Sequence, residues 1–172
     1  MNRDVFLSIL AMDSYNRGYG EGLKLPGGSK KLGTTTISRQ SDIRSGSDAV
    51  NAGFYAIAYD WNGEKVISFR GTDFGEVESG ARDVLNGWSM FTGFGTDSQA
   101  SLARDFYRRV TGLDFISSAV SVGAGSDITL TGHSLGGGLA GFVGSRALAN
   151  AVVFDPIPFG SLANQTAISD AF

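Results

Sequence analysis

The sequence has 172 residues, a length typical of one domain, and its 42% hydrophobic and 18% charged residues suit a globular protein with a substantial core. A net charge of −3 argues against a basic surface for nucleic acid, so no nucleic-acid partner is expected. The absence of cysteine excludes disulfides and thiolate metal sites, and leaves the redox compartment open.

The first predicted element is an amphipathic helix that ends before Gly18. Along it, Val5, Phe6, Ile9, Leu10 and Asp13 alternate faces at helical spacing. Residues 18–36 are predicted to form a loop, and residues 38–50 are polar and predicted to be irregular. Residues 54–60 and 65–70 then have the character of strands. Asn62-Gly63 between them favours a hairpin turn.

A long connection over residues 71–95 precedes a second predicted helix. This helix starts at Thr96 or Asp97 and runs through Gly112, with one apolar side formed by Ala100, Ala103, Phe106, Tyr107 and Val110. Residues 113–122 are ambiguous. A strand over 128–131, a helix over 135–149 and a strand over 151–154 follow, an order that indicates a parallel βαβ unit. Residues 161–172 are a candidate for a further helix.

One motif carries chemistry: Gly132-His133-Ser134-Leu135-Gly136 is a G-x-S-x-G sequence between a predicted strand and a predicted helix. A serine at such a turn has a strained backbone and an exposed hydroxyl, and its neighbours two positions away have no room for a Cβ atom. The helix N-terminus supplies N–H groups for a developing oxyanion, and the amide of Leu135 is one candidate donor. The motif therefore predicts Ser134 as a nucleophile.

Together with Phe69-Arg70-Gly71-Thr72-Asp73, this motif resembles the class 3, fungal-lipase-like branch of the α/β-hydrolases, over about residues 49–160. The resemblance implies an α/β fold with a central, mostly parallel sheet and helices on both faces, here as a single partial domain over residues 1–172 whose C-terminal part is missing. It implies an esterase acting on acylglycerols or phospholipids without cofactor or metal. Thr72 and Leu135 become the two oxyanion donors, and a lid between Phe74 and Phe91 is expected to contact the lipid surface.

The missing element is a catalytic base, because His133 is the only histidine and precedes the nucleophile. Its side chain is expected to point away from the hydroxyl and to be packed and hydrogen-bonded. In α/β-hydrolases the acid and the histidine follow the serine along the chain, and here only Asp155 and Asp170 are carboxylates after Ser134. Asp155 is the candidate acid; the alternative is a turn residue before Pro156. Arg70 and Asp73 are expected to brace their loop.

Two hypotheses follow from the missing histidine. The first is a lipase or carboxylesterase whose sequence continues beyond Phe172 and there supplies the acid and the base. The second is a catalytically inactive lipase-like module that binds lipid or a partner. No N-terminal signal peptide or membrane-spanning run is recognisable, and the localisation stays open because secretion by another route is compatible with the sequence.

Overall fold

A mixed five-stranded sheet forms the centre of the protein. The computed structural model describes residues 2–16, 35–41, 44–71, 96–115 and 127–158, without the side chains of residues 16 and 96–98. The strands lie in chain order across the sheet: β1 Thr36–Gln40, β2 Ala56–Trp61, β3 Glu64–Phe69, β4 Ile128–His133 and β5 Asn150–Phe154. Their arrangement with helices is an α/β architecture.

The strand pairs divide equally between the two orientations. β1–β2 and β2–β3 are antiparallel, whereas β3–β4 and β4–β5 are parallel. The expectation of a mostly parallel sheet is therefore wrong for the described strands. The reason is the predicted turn itself: Asn62 and Gly63 have φ values of 51° and 83°, and such a two-residue turn joins only antiparallel neighbours.

Helices cover both faces of the sheet, as predicted. The four helices in the described residues are α1 Arg3–Asn16, α2 Asp48–Asn51, α3 Thr96–Thr111 and α4 Leu135–Ala147. Phe6, Leu7 and Leu10 of α1 pack against Ile57 and Tyr59 of β2 on one face. On the other face α3 and α4 form the larger core, with buried side chains that include Ala58, Ile67, Phe106, Leu130 and Phe142. Alternate strand residues thus contact opposite helical layers.

Two local predictions differ from the structure. Residues 38–50, predicted to be irregular, contain most of β1 and α2. All five residues of β1 are exposed, so no hydrophobic alternation marked the strand, which forms by backbone pairing with β2. In the first helix Val5 is 51% exposed, and the buried face is formed by Phe6, Leu7, Leu10 and Ala11.

The other elements match their predictions closely. α3 ends at Thr111, and Gly112 follows with a φ of 73°, a left-handed conformation that ends a helix readily. Residues 116–122 and 161–172 lie outside the described part of the chain. None of the helices in the described residues is long and apolar enough to cross a membrane.

Candidate active site

Ser134 occupies a sharp turn between β4 and α4. Its backbone angles are φ 55° and ψ −122°, a combination that L-amino acids rarely adopt and that costs about 1–3 kcal/mol. The half-buried side chain makes no capping hydrogen bond to the helix that it precedes. The hydroxyl is therefore not engaged in stabilising the helix start, although serine is one of the preferred residues for that role.

Three backbone hydrogen bonds fix this strained residue. The Ser134 N–H donates to the carbonyl of Phe154 at 3.1 Å, and the Ser134 carbonyl accepts from Gly138 at 3.0 Å and Ile157 at 3.2 Å. Two of these partners belong to β5 and the segment after it. The turn is thus held by the neighbouring strand as well as by its own helix.

The glycines two positions before and after Ser134 are required by close backbone contacts. A Cβ atom on Gly132 would lie 2.4 Å from the Gly136 carbonyl group, and one on Gly136 would lie 2.0 Å from the Phe69 carbonyl oxygen. Both distances are far shorter than a carbon can tolerate. The prediction that these two positions have no room for a side chain is confirmed, and the close approach sets the start of α4 against the end of β3.

The structure describes only one of the two candidate oxyanion donors. Leu135 is the first residue of α4 and is 8% exposed, and the amides of a first helical turn have no partner within the helix. Thr72 lies outside the described residues, as do Asp73 and the lid region 74–91. The preceding Gly71 is described, and it is buried against the elbow, the strand-to-helix turn formed by His133, Ser134 and Leu135. A Cβ atom on Gly71 would lie 2.6 Å from the His133 carbonyl oxygen.

His133 is held by the first helix. Its Nδ1 atom lies 3.0 Å from the hydroxyl oxygen of Tyr15, and the two rings are tilted with centroids 6.0 Å apart. The prediction of a hydrogen-bonded histidine is confirmed. Within the described residues, no hydrogen bond joins the His133 ring to Ser134.

Asp155 lies on the same edge of the sheet as Ser134. It directly follows Phe154, whose carbonyl binds the Ser134 amide, and its φ is 44°. The carboxylate is exposed, and no described residue forms a hydrogen bond or ion pair with it. It is therefore near the elbow in the fold and is not committed to another structural contact there.

Arg70 packs tightly beside the site. The residue is 6% exposed, its guanidinium carbon lies 5.3 Å from the centre of the Tyr55 ring, and its amide donates to the Tyr55 carbonyl at 2.9 Å. These contacts hold Arg70 against Tyr55. Asp73, which was also expected to brace the loop, lies outside the described part of the chain.

Sequence reasoning missed Tyr15, which contacts the elbow across 118 residues of sequence. No local pattern marks it, because a tyrosine near the end of an amphipathic helix is ordinary. In the part of the chain that the structure describes, no group of three histidine, cysteine or carboxylate side chains could hold a metal ion.

The geometry described above stands without support from relatives. Neither the models of known protein families nor the curated proteins compared with this chain give a match.

Proposed function

We propose that this protein is a serine hydrolase of the lipase or carboxylesterase type, with an α/β-hydrolase fold similar to that of the class 3 lipases. The observation that carries the proposal is the backbone of Ser134. A non-glycine residue at φ 55° and ψ −122° persists only where the surrounding structure enforces it, and such strain concentrates at active sites. A binding module has no evident need of it.

The chemistry that this arrangement supports is acyl transfer. The Ser134 oxygen attacks the ester carbonyl while a base accepts the hydroxyl proton, and the carbonyl electrons move onto oxygen. The amide of Leu135, at the positive end of α4, is suited to stabilise that oxyanion, and Thr72 is the second proposed donor. Collapse breaks the ester bond, the alcohol leaves with the proton, and water then releases the carboxylic acid from Ser134.

This sequence contains no histidine that is available as the catalytic base. His133 is the only one, and its Nδ1 is hydrogen-bonded to Tyr15 rather than to Ser134. Asp155 is proposed as the acid because its carboxylate is exposed beside the elbow. The proposed substrates are acylglycerol or phospholipid esters, and the proposed lid lies between Phe74 and Phe91.

The engagement of His133 also favours one alternative: a lipase-like module that binds lipid or a partner without turnover. The two functions differ in whether Ser134 reacts. Hydrolysis of a p-nitrophenyl ester by the chain and by its Ser134→Ala variant, each with and without added imidazole, separates them.

We expect slow hydrolysis that depends on Ser134, far below the roughly 1–10³ s⁻¹ of complete enzymes, because loss of the base reduces kcat by on the order of 10⁶. Free imidazole should raise the Ser134-dependent rate, since it supplies the missing proton acceptor. Identical rates for the chain and Ser134→Ala under both conditions would favour the binding module. Full-speed turnover without imidazole would instead contradict the statement that the base is missing.

A further inference from the structure

Tyr15, near the end of the N-terminal helix, contacts two parts of the proposed site: His133 before the nucleophile, and Gly71 after β3. Its hydroxyl oxygen lies 3.0 Å from Nδ1 of His133 and 3.4 Å from the carbonyl oxygen of the same residue. His133 is the last residue of β4 and immediately precedes Ser134. One hydroxyl therefore contacts the side chain and the backbone of the residue that leads into the elbow.

The same hydroxyl also lies against Gly71, in the segment that follows β3. A Cβ atom on Gly71 would lie 2.0 Å from the Tyr15 hydroxyl oxygen and 3.1 Å from Cζ. The hydroxyl thus fills the space that a side chain at position 71 would occupy. Because that Cβ atom would also lie 2.6 Å from the His133 carbonyl oxygen, the end of α1, the segment after β3 and the end of β4 meet at one point.

The donors and acceptors available on Tyr15 and His133 determine how both of their contacts can be hydrogen bonds. A phenolic hydroxyl has one proton to donate and can also accept. Both contacts to His133 are made together when Nδ1 carries a proton, which it donates to the Tyr15 oxygen, while the Tyr15 hydroxyl donates to the His133 carbonyl. This tautomer is assigned from the network. It fixes the backbone just before Ser134 from the side of α1.

The helix that carries Tyr15 is itself fixed to the sheet. The hydroxyl of Ser68 in β3 donates to the Leu10 carbonyl at 3.1 Å, and the hydroxyl of Tyr59 in β2 donates to Asp13 at 2.6 Å. All of the side chains in these two bonds are fully buried. Tyr15 therefore acts from a rigid support two residues beyond Asp13.

We propose that Tyr15 is a positioning residue, which holds the segment at Gly71 against the strand end at His133 and so sets the distance between that segment and the nucleophile. The proposal rests on the proposed serine hydrolase function insofar as it concerns the reaction rate. A displacement of about 1 Å in such a site can reduce a rate by about 10²-fold, so partial loosening is expected to have a clear effect.

The test compares Tyr15→Phe with Tyr55→Phe. Both remove one hydroxyl from a partly buried hydrogen bond, and the Tyr55 hydroxyl donates to Gln40 at 2.8 Å. The first measurement is the rate at which a fluorophosphonate labels Ser134, at a temperature where thermal unfolding shows every variant to be folded. The second is hydrogen–deuterium exchange of the peptide that covers residues 69–72. His133→Leu is included because it removes the same contact from the other side.

We expect labelling to slow about tenfold in Tyr15→Phe and in His133→Leu and to change less than twofold in Tyr55→Phe. Exchange over residues 69–72 should accelerate only in the first two variants. Equal labelling and exchange in Tyr15→Phe and the unmodified chain would overturn the positioning role. If the unmodified chain does not label at all, the proposed function fails. The exchange comparison alone then decides whether Tyr15 holds Gly71 against His133.

Discussion

Ser134 has a backbone conformation that residues other than glycine disfavour. Its φ is 55°, and its amide and carbonyl are held by Phe154, Gly138 and Ile157. Where a strained residue persists in this way, the surrounding structure supplies the stabilisation that the residue lacks. Its half-buried side chain lies between β4 and α4 and makes no capping hydrogen bond.

The strain predicts that stability and function are opposed at this position. Ser134→Gly should relieve about 1–3 kcal/mol of backbone strain, offset by about 0.5–1 kcal/mol of greater chain entropy in the unfolded state. We therefore expect Ser134→Gly to unfold with a free energy about 1 kcal/mol higher than that of Ser134→Ala, which removes the hydroxyl but keeps the strain. Urea denaturation measures both, and a less stable glycine variant would count against the strained conformation.

Gly136 and Gly144 lie in the same helix, and their contacts predict different responses to alanine. The new methyl group at 136 would lie 2.0 Å from the Phe69 carbonyl oxygen, whereas the one at 144 would lie 3.1 Å from the Ala151 side chain on the exposed edge strand. Gly136→Ala should reduce the free energy of unfolding by about 3 kcal/mol or more, as in severe overpacking.

Gly144→Ala is the matched control for that variant. Its slight crowding opposes a gain in helix propensity of up to about 1 kcal/mol, so we expect a change close to zero. Thermal unfolding of the two variants provides the comparison. A similar, small effect for both would mean that α4 does not start as close to β3 as described.

Residue-scale prediction from sequence succeeded where the constraint is local. The need for glycine at 132 and 136 follows from the geometry of a strand-to-helix turn and is readable from five consecutive residues. Tyr15 could not be found in this way, because its role depends on how α1 packs over the sheet. Helical spacing likewise does not specify which of two adjacent apolar stripes faces the sheet, and the structure leaves Val5 exposed.

At the scale of elements, the sequence predicted those with their own local signal. The hairpin between β2 and β3 was readable because Asn62-Gly63 is suited to positive φ at both positions. Strand β1 was not, since its residues are exposed and its only support is the ladder with β2. An edge strand of this kind is determined by tertiary pairing more than by side-chain pattern.

The end of α3 is stabilised by charge, and this predicts a pH dependence. Slight burial raises the pKa of the Asp114 carboxyl, but the Phe115 amide and the Arg104 and Arg108 guanidinium groups outweigh it, so the net pKa lies below the ordinary value. The Arg104 Nε donates to Asp114 at 3.1 Å. The ionised form is therefore favoured in the folded state.

Because the folded-state pKa is depressed, the stabilisation is present above the unfolded-state pKa of about 3.9 and is lost as the pH falls through the lower folded-state value. The group is about half exposed, so solvent screening limits the effect to about 0.5 kcal/mol. The free energies of unfolding of the unmodified chain and Asp114→Asn should differ by a constant amount above pH 5 and converge as the pH falls below the folded-state pKa. A difference that grows in acid would reverse the assigned sign.

On the scale of the whole molecule, three distant segments meet at one edge of the sheet. β3, β4 and β5 are parallel, so their carboxyl ends bring together Gly71, Ser134 and Asp155. Ligands of open α/β sheets bind outside these strand ends. The predicted βαβ order already implied that these segments meet. The number of antiparallel strand pairs, and the packing of α1 against Gly71 and His133, could be seen only in the assembled structure.

The central claim is that this assembled edge makes Ser134 a nucleophile, and its most direct test is relative reactivity within one molecule. The intact chain is treated with a fluorophosphonate, and peptide mass spectrometry follows modification of Ser134 and of Ser145. Ser145 is an exposed serine of the same helix whose hydroxyl donates to the Phe142 carbonyl at 2.8 Å. We predict that Ser134 is modified at least about tenfold faster than Ser145, because only its oxyanion position faces a helix N-terminus, and that the preference disappears on unfolding in urea. Equal modification of the two serines in the folded chain would contradict the account.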